Sequence, residues 1–188
     1  MKDPIIINNI LSEEDYKTVI ESVLNPKSFE YQEGFSRYIA SDYSLSILKE
    51  ISNNLIPIAK DIFDSKTLMP TYSLFAHYEG QDPEPSLYKH KDNNACTYTI
   101  DMCVYQNEPW DLWVENKNYC LYPNQALAYY GNDQFHWREQ FPNPKTNHVA
   151  MIFFHFAEPD HWYFTKGPSY LSVIREDITE EEWQRNFK

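Results

Sequence analysis

Thr71-Tyr72-Ser73-Leu74-Phe75-Ala76-His77-Tyr78 sets Tyr72, Leu74, Ala76 and Tyr78 at alternate positions, mostly among more polar neighbours. A period of two marks a β-strand whose faces meet different surroundings. Gly80-Gln81-Asp82-Pro83 breaks the pattern, and the phrase Tyr88-Lys89-His90-Lys91-Asp92-Asn93 follows. Cys96, Tyr98, Ile100, Met102 and Val104 alternate again. Trp110 to Val114 and Tyr119 to Tyr122, joined by Glu115-Asn116-Lys117-Asn118, read as a hairpin. Ala126 to Tyr130 is a further strand, closed by Gly131-Asn132-Asp133. Val149 to Phe156 is almost continuously apolar, which suits a strand buried on both faces.

Upstream the period changes. Ile5-Ile6-Ile7 reads as a short strand. Ser12 starts a helix, with Asp15 three residues on in a capping-box-like relation. Tyr16, Val19, Ile20, Val23 and Leu24 follow at helical spacing until Pro26. Segment 29–43 is irregular or strand-like. A second helical pattern runs through Leu45, Leu48, Ile51, Leu55, Ile58 and Ile62, with Pro57 expected to kink or divide it. Thr179 and Glu182 predict a short C-terminal helix holding Trp183. The expected fold is mainly β with flanking helices, a jelly roll of about seven or eight short strands. One domain over 1–188 is expected, with helices from about 12 to 64 buttressing a β core from about 70 to 165.

Composition narrows the function. The chain has 188 residues, 42% hydrophobic and 16% aromatic, enough for one sizeable core. A net charge of −12 argues against a nucleic-acid backbone or an anionic membrane as partner. Cys96, Cys103 and Cys120 show neither zinc spacing nor an even disulfide count, so free thiols in a reducing cytoplasm are expected. The start, MKDPIIINNILSEED, has no long apolar stretch, so no signal peptide or membrane span is expected.

His90 and Asp92, read as opening a strand after a turn, project from one strand face. His136, 46 residues beyond His90 (136 − 90), follows the unit Ala126–Asp133. That span lets several antiparallel strands return to the same end of a sandwich. Two imidazoles and one carboxylate on one side of an ion, with the other positions open, suit ferrous iron. A closed zinc site would want Cys or more His. The triplet alone is common by chance, and its place among strands and turns gives it weight. His77 reads as structural, His161 as a surface or packing residue, and His155 as a hydrogen-bonded core histidine.

Tyr78-Glu79-Gly80-Gln81 followed by Tyr88-Lys89-His90-Lys91-Asp92-Asn93 resembles the entry to the catalytic core of 2-oxoglutarate/Fe(II)-dependent dioxygenases of the prolyl-hydroxylase-like branch. Ile6 to Glu14 is similar to that branch's opening strand and helix. Leu121 to Ala126 resembles its loop before the strand carrying the distal His. His136-Trp137-Arg138-Glu139 with Phe153 to Phe156 resembles small bacterial and phage members. The likeness spans most of residues 5–160. It implies a double-stranded β-helix, cupin-like in form, with Fe(II) on His90, Asp92 and His136. It implies 2-oxoglutarate as cosubstrate and O2 as oxidant, usually for hydroxylation with release of succinate and carbon dioxide. Tyr78 matches the family's cosubstrate-binding tyrosine. Asp92 is the carboxylate that halogenating members lack, so its presence favours oxygenation.

One departure stands out. The family places an Arg or Lys about ten residues after the distal His to grip the far carboxylate. Here that region reads Pro144-Lys145-Thr146-Asn147-His148-Val149, without Arg. Lys145, His148 and Arg138 are the candidates, and a planar guanidinium fits a carboxylate best. Lys145 also reads as a solvated loop charge, His148 as a strand-edge residue, and Arg138 as a partner of Glu139. Two other readings stay open: a jelly-roll binding module lined by Trp110, Trp113 and Tyr130, and a cupin-type metalloenzyme without 2-oxoglutarate. The expected partner is a small-molecule, peptide or protein substrate. Segment 29–43 and the loop 81–87 are expected to cover it.

Overall fold

Strand alternation builds two cores back to back. In a computed structural model, which describes residues 3–80 and 84–166, the elements run in order β1 (Ile5–Asn8), α1 (Glu13–Ser22), β2 (Glu30–Gln32), β3 (Arg37–Ser41), α2 (Ser46–Asn54), α3 (Ile56–Phe63) and β4 (Met69–Glu79). There follow β5 (Leu87–His90), β6 (Tyr98–Gln106), β7 (Leu112–Val114), β8 (Lys117–Tyr119), β9 (Gln125–Tyr129), β10 (His136–Arg138), β11 (His148–Ala157) and α4 (Trp162–Lys166). Seven strands form a large sheet in the order β1-β9-β6-β11-β4-β3-β2, and four form a small one, β5-β10-β7-β8. All pairings are antiparallel.

Along β11, Ala150, Ile152, Phe154 and Phe156 join one core with Val19 of α1, Leu48 and Ile51 of α2, and Ala59 and Phe63 of α3. Val149 and Met151, of opposite parity, join a second core with Leu112 and Val114 of the small sheet. The same split runs through β9: Ala126 and Ala128 face the helices, Leu127 and Tyr129 the small sheet. The large sheet is therefore buried on both faces, which is why its central strand reads as one apolar run. Each large buried side chain here contributes about 1.5–3 kcal/mol by leaving water.

The helices form where expected. Ser12 caps α1, accepting from the Asp15 amide at 3.1 Å. The second pattern divides at Leu55, two residues before Pro57, which takes an early position of α3 where its missing N–H costs nothing. Among the described residues eight strands, β4 to β11, follow the helices, within the number expected, and β2 and β3 arise in segment 29–43. One turn is corrected. The hairpin turn is Glu115-Asn116 alone, with Val114 facing Lys117 and Glu115 at φ 54°. The helix expected around Trp183 lies outside the described residues.

Candidate metal centre

His90 and His136 face each other directly across the β5–β10 ladder, their rings 4.2 Å apart. His90 ends β5; it does not open a strand, and Asp92 lies in the loop that follows. The convergence thus comes from cross-strand pairing, not from two residues sharing one strand face. Beside the pair, Arg138 faces Leu87, so β5 carries one residue more than β10 between matched positions. Such a bulge twists a strand and re-aims its side chains.

Backbone carbonyls fix both rings. His90 Nδ1 lies 2.8 Å from the Tyr88 carbonyl and His136 Nδ1 lies 3.0 Å from that of Gln134. A carbonyl only accepts, so each Nδ1 donates, which turns each Nε2 toward the centre as the atom that can bind an ion. Both Nε2 atoms point at Asp92 Oδ1, at 3.6 Å from His90 and 3.4 Å from His136. Ligands sharing one ion, with bonds of about 2.1 Å, stand about 3.0–3.4 Å apart, so the two Asp92 contacts are at or just beyond that spacing. Asp92 is held from three sides. Its amide donates to the Gly131 carbonyl at 2.8 Å, and Thr99 Oγ1 donates to Oδ2 at 3.3 Å. Gly131 lies so close that a β-carbon there would stand 2.4 Å from Oδ2.

The electrostatics match this packing. Burial alone would push the Asp92 carboxyl up, but His136 and His90 more than offset it and hold it well below the usual range. Burial would lower His136, and Asp92 outweighs that, leaving it raised. An ionised carboxylate with two imidazole Nε2 atoms converging on it is a donor set that suits a cation, which would take the place of the Nε2 protons.

Behind the centre lies a buried polar patch. Arg138, two residues after His136, is buried on the same side of β10. Its Nη1 donates to the Trp110 carbonyl and its guanidinium sits 5.0 Å over the Trp110 ring. Its Nη2 is buried and has no hydrogen-bond partner among the described residues. Tyr129 packs edge-on to His136 at 5.0 Å and donates its hydroxyl to Asp101 Oδ2 at 3.0 Å. Burial, and then the Asp92 charge, push the Asp101 carboxyl up to about 7. Asp101 therefore supplies little counter-charge to Arg138. A buried guanidinium short of an anion is costly unless something acidic occupies its free edge.

The other expected residues are spread more widely. Tyr78 is buried in the second core, its hydroxyl accepting from Arg37 Nη1 at 2.8 Å. Lys145 is exposed. His148 is half-exposed and belongs to another group: its Nδ1 lies 3.7 Å from Glu79 Oε2, and its ring stacks on His77 at 5.9 Å. His77 is buried, and its Nε2 is 3.5 Å from the same Glu79 oxygen. His155 is a core histidine, as expected, its Nδ1 donating to the Tyr72 carbonyl at 3.2 Å. It also stands close to Asp92 and Cys96. Phe35, in the turn before β3, stacks on Tyr88 at 6.3 Å, and Tyr88 lies 5.4 Å from His90. Segment 29–43 therefore reaches the mouth of the centre.

Sequence reasoning missed Thr99, Asp101, Gly131, Tyr129 and Arg37. An acidic residue inside the alternating run Cys96 to Val104 was a usable signal for Asp101. Arg37 had none, since its strand is five residues long in a segment without clear period.

Two antiparallel sheets face to face, with helices behind the larger, make a jelly-roll fold of the kind seen in solved 2-oxoglutarate/Fe(II) oxygenases, and the His90, Asp92 and His136 side chains come together where they could hold an ion. No protein-family model matches the chain, and no curated protein sequence matches it. Solved structures do. The chain is similar to the non-haem α-ketoglutarate-dependent epimerase SnoN of nogalamycin biosynthesis, with a TM-score of 0.66 and 9% identity, over 82% of this chain and 77% of that one. HygX from Streptomyces hygroscopicus, with nickel and 2-oxoglutarate bound, gives 0.63 at 8%, over 82% of each chain. The collagen prolyl hydroxylase of Paramecium bursaria Chlorella virus-1, in its 2-oxoglutarate complex, gives 0.59 at 10%, over 82% of this chain and 96% of that one. At these identities the likeness is one of fold. Among the described residues no helix is long and apolar enough to cross a membrane.

Proposed function

We propose that this chain is a non-haem Fe(II)- and 2-oxoglutarate-dependent dioxygenase that hydroxylates an unactivated C–H bond, with release of succinate and carbon dioxide. The observation that carries this is the convergence of His90 Nε2 and His136 Nε2 on Asp92 Oδ1, at 3.6 and 3.4 Å. His90, Asp92 and His136 would hold the iron, leaving positions open for cosubstrate and oxygen. When bound, iron, 2-oxoglutarate and O2 together supply the oxidising power, one oxygen atom going to the substrate and one to succinate.

The chain's own residues hold and orient. Tyr88 and Gln134 fix the two imidazoles through their carbonyls, and Thr99 with the Gly131 backbone fixes Asp92. Arg138 would receive the far carboxylate on its unpartnered Nη2, in a site the protein shields from water. This favours Arg138 over Lys145 and His148, which lie outward, and favours a keto-acid enzyme over a cupin without one. Tyr78, with Arg37 behind it, would add a hydroxyl to the same pocket. Asp92 fills the position a halide would need, which supports oxygenation. Phe35 and Tyr88 flank the entrance for a small-molecule, peptide or protein substrate.

The test is anaerobic titration of the protein with Fe(II) and 2-oxoglutarate, followed by oxygen. A weak visible charge-transfer band, then succinate, is expected. Both should vanish in His90→Ala and Asp92→Ala while the fold persists by circular dichroism. Succinate formation unchanged in both variants would overturn the proposal.

A further inference from the structure

On the opposite face of the large sheet, three further ligand-type side chains meet. The alternation that sends Ala76 and Tyr78 into the core shared with the small sheet sends Phe75, His77 and Glu79 to the helix side. His148 opens β11 directly across from Glu79 in the ladder, with Val149 turned the other way. His77 and Glu79 thus sit at i and i+2 on one strand, and His148 completes the group from the next.

We propose that His77, Glu79 and His148 form a second divalent transition-metal site, of the kind that takes Zn2+, separate from the His90–Asp92–His136 centre.

Donor set and spacing support it. Glu79 Oε2 lies 3.5 Å from His77 Nε2 and 3.7 Å from His148 Nδ1, and all three ligand atoms fall within 4.8 Å of one another. A tetrahedral ion with bonds of about 2.0–2.1 Å needs about 3.3–3.4 Å between ligands, so the two Glu79 contacts lie within a few tenths of an ångström of that spacing. Two nitrogens and one carboxylate oxygen, with a fourth position toward solvent, is a donor set zinc accepts readily. The first ligand is braced as metal ligands are: the Tyr105 hydroxyl engages His77 Nδ1 at 2.8 Å, leaving Nε2 facing Glu79. The carboxylate's other oxygen is occupied. Lys27 Nζ lies 2.8 Å from Oε1, so Oε2 faces the imidazoles. An ion here would tie the end of β4 to the start of β11, and through Lys27 to the chain after α1.

Zn2+ binding to the full-length protein tests the proposal, by equilibrium dialysis and by the thermal midpoint. In Asp92→Ala, which removes the first centre, one equivalent of zinc should remain and the midpoint should rise with zinc. Adding His148→Ala should abolish both. His148 is half-exposed, so its removal leaves the fold intact, and His148→Gln provides a variant closer in size. Zinc retained in Asp92→Ala/His148→Ala, or no zinc bound by Asp92→Ala while its fold is intact, overturns the second site. If the first centre bound no metal, wild type and Asp92→Ala would bind the same single equivalent, still lost with His148. The two proposals therefore fail separately.

Discussion

Gly131 carries no β-carbon where Asp92 needs the room. A β-carbon at 131 would stand 2.4 Å from Asp92 Oδ2, 2.4 Å from Thr99 Oγ1 and 2.8 Å from the Cys96 carbonyl oxygen. Two of those contacts are the carboxylate and the hydroxyl that orients it, and the Asp92 amide is tied to Gly131 itself. Gly131→Ala must therefore move Asp92 or the loop. We expect metal affinity to fall about 10–100-fold, as when a supporting group is lost. Overpacking should cost about 1–3 kcal/mol of stability. Fe(II) titration with a urea melt checks both, and wild-type affinity in Gly131→Ala would show that Asp92 needs no such clearance.

Arg138 should separate stability from cosubstrate binding. Replacing it by Met keeps length and apolar contact with Trp110 while removing a buried charge whose Nη2 is unpartnered. Without ligand, Arg138→Met should be neutral or more stable. With ligand, the loss of charge-assisted hydrogen bonds of about 1.5–3 kcal/mol should weaken 2-oxoglutarate about 10–150-fold. Fe(II) affinity should hold, since the triad is untouched. Calorimetry with 2-oxoglutarate, alongside chemical denaturation, reads the two effects. Unchanged 2-oxoglutarate affinity would move the carboxylate grip elsewhere.

Tyr78 provides the contrast. Its ring packs against Trp110 at 5.0 Å, and its hydroxyl accepts from Arg37. Tyr78→Phe keeps the packing and removes one neutral group, a change of about 0.5–1.5 kcal/mol. The expected loss of 2-oxoglutarate affinity is about 2–12-fold, well short of that for Arg138→Met. A larger effect at Tyr78 than at Arg138 would reverse their roles.

What was legible in the chain follows from length and period. Helices α1 to α3 and strands β4, β6, β9 and β11 were readable because each repeats its pattern over several residues. The three candidate ligand residues were readable as residue types, but not the way they meet. His90 and His136 stand opposite each other in strands of four and three residues, and a pairing that short leaves no periodicity. Arg138 was readable from its i+2 relation to His136 alone. Expecting His148 near the same site failed on parity, because a single residue along β11 decides which face of the sheet a side chain meets.

Asp101 should give the stability of the metal-free protein a pH slope of known sign. Its carboxyl is buried beside Asp92 and pushed up from 3.8 to about 7, although His136, Arg138 and the Tyr129 hydroxyl pull it back. An unfolded chain releases that proton near pH 4. Between about pH 4 and 7 the folded protein therefore binds more protons than the unfolded one, and stability falls as pH rises. The full effect is on the order of a few kcal/mol. Asp101→Asn keeps the shape and an acceptor for Tyr129 but cannot titrate. Urea unfolding of the metal-free protein at pH 5 and pH 7 should show wild type losing more stability than Asp101→Asn across that interval. Equal losses in the two proteins would mean that Asp101 ionises normally, and that Arg138 already has its counter-ion inside the fold.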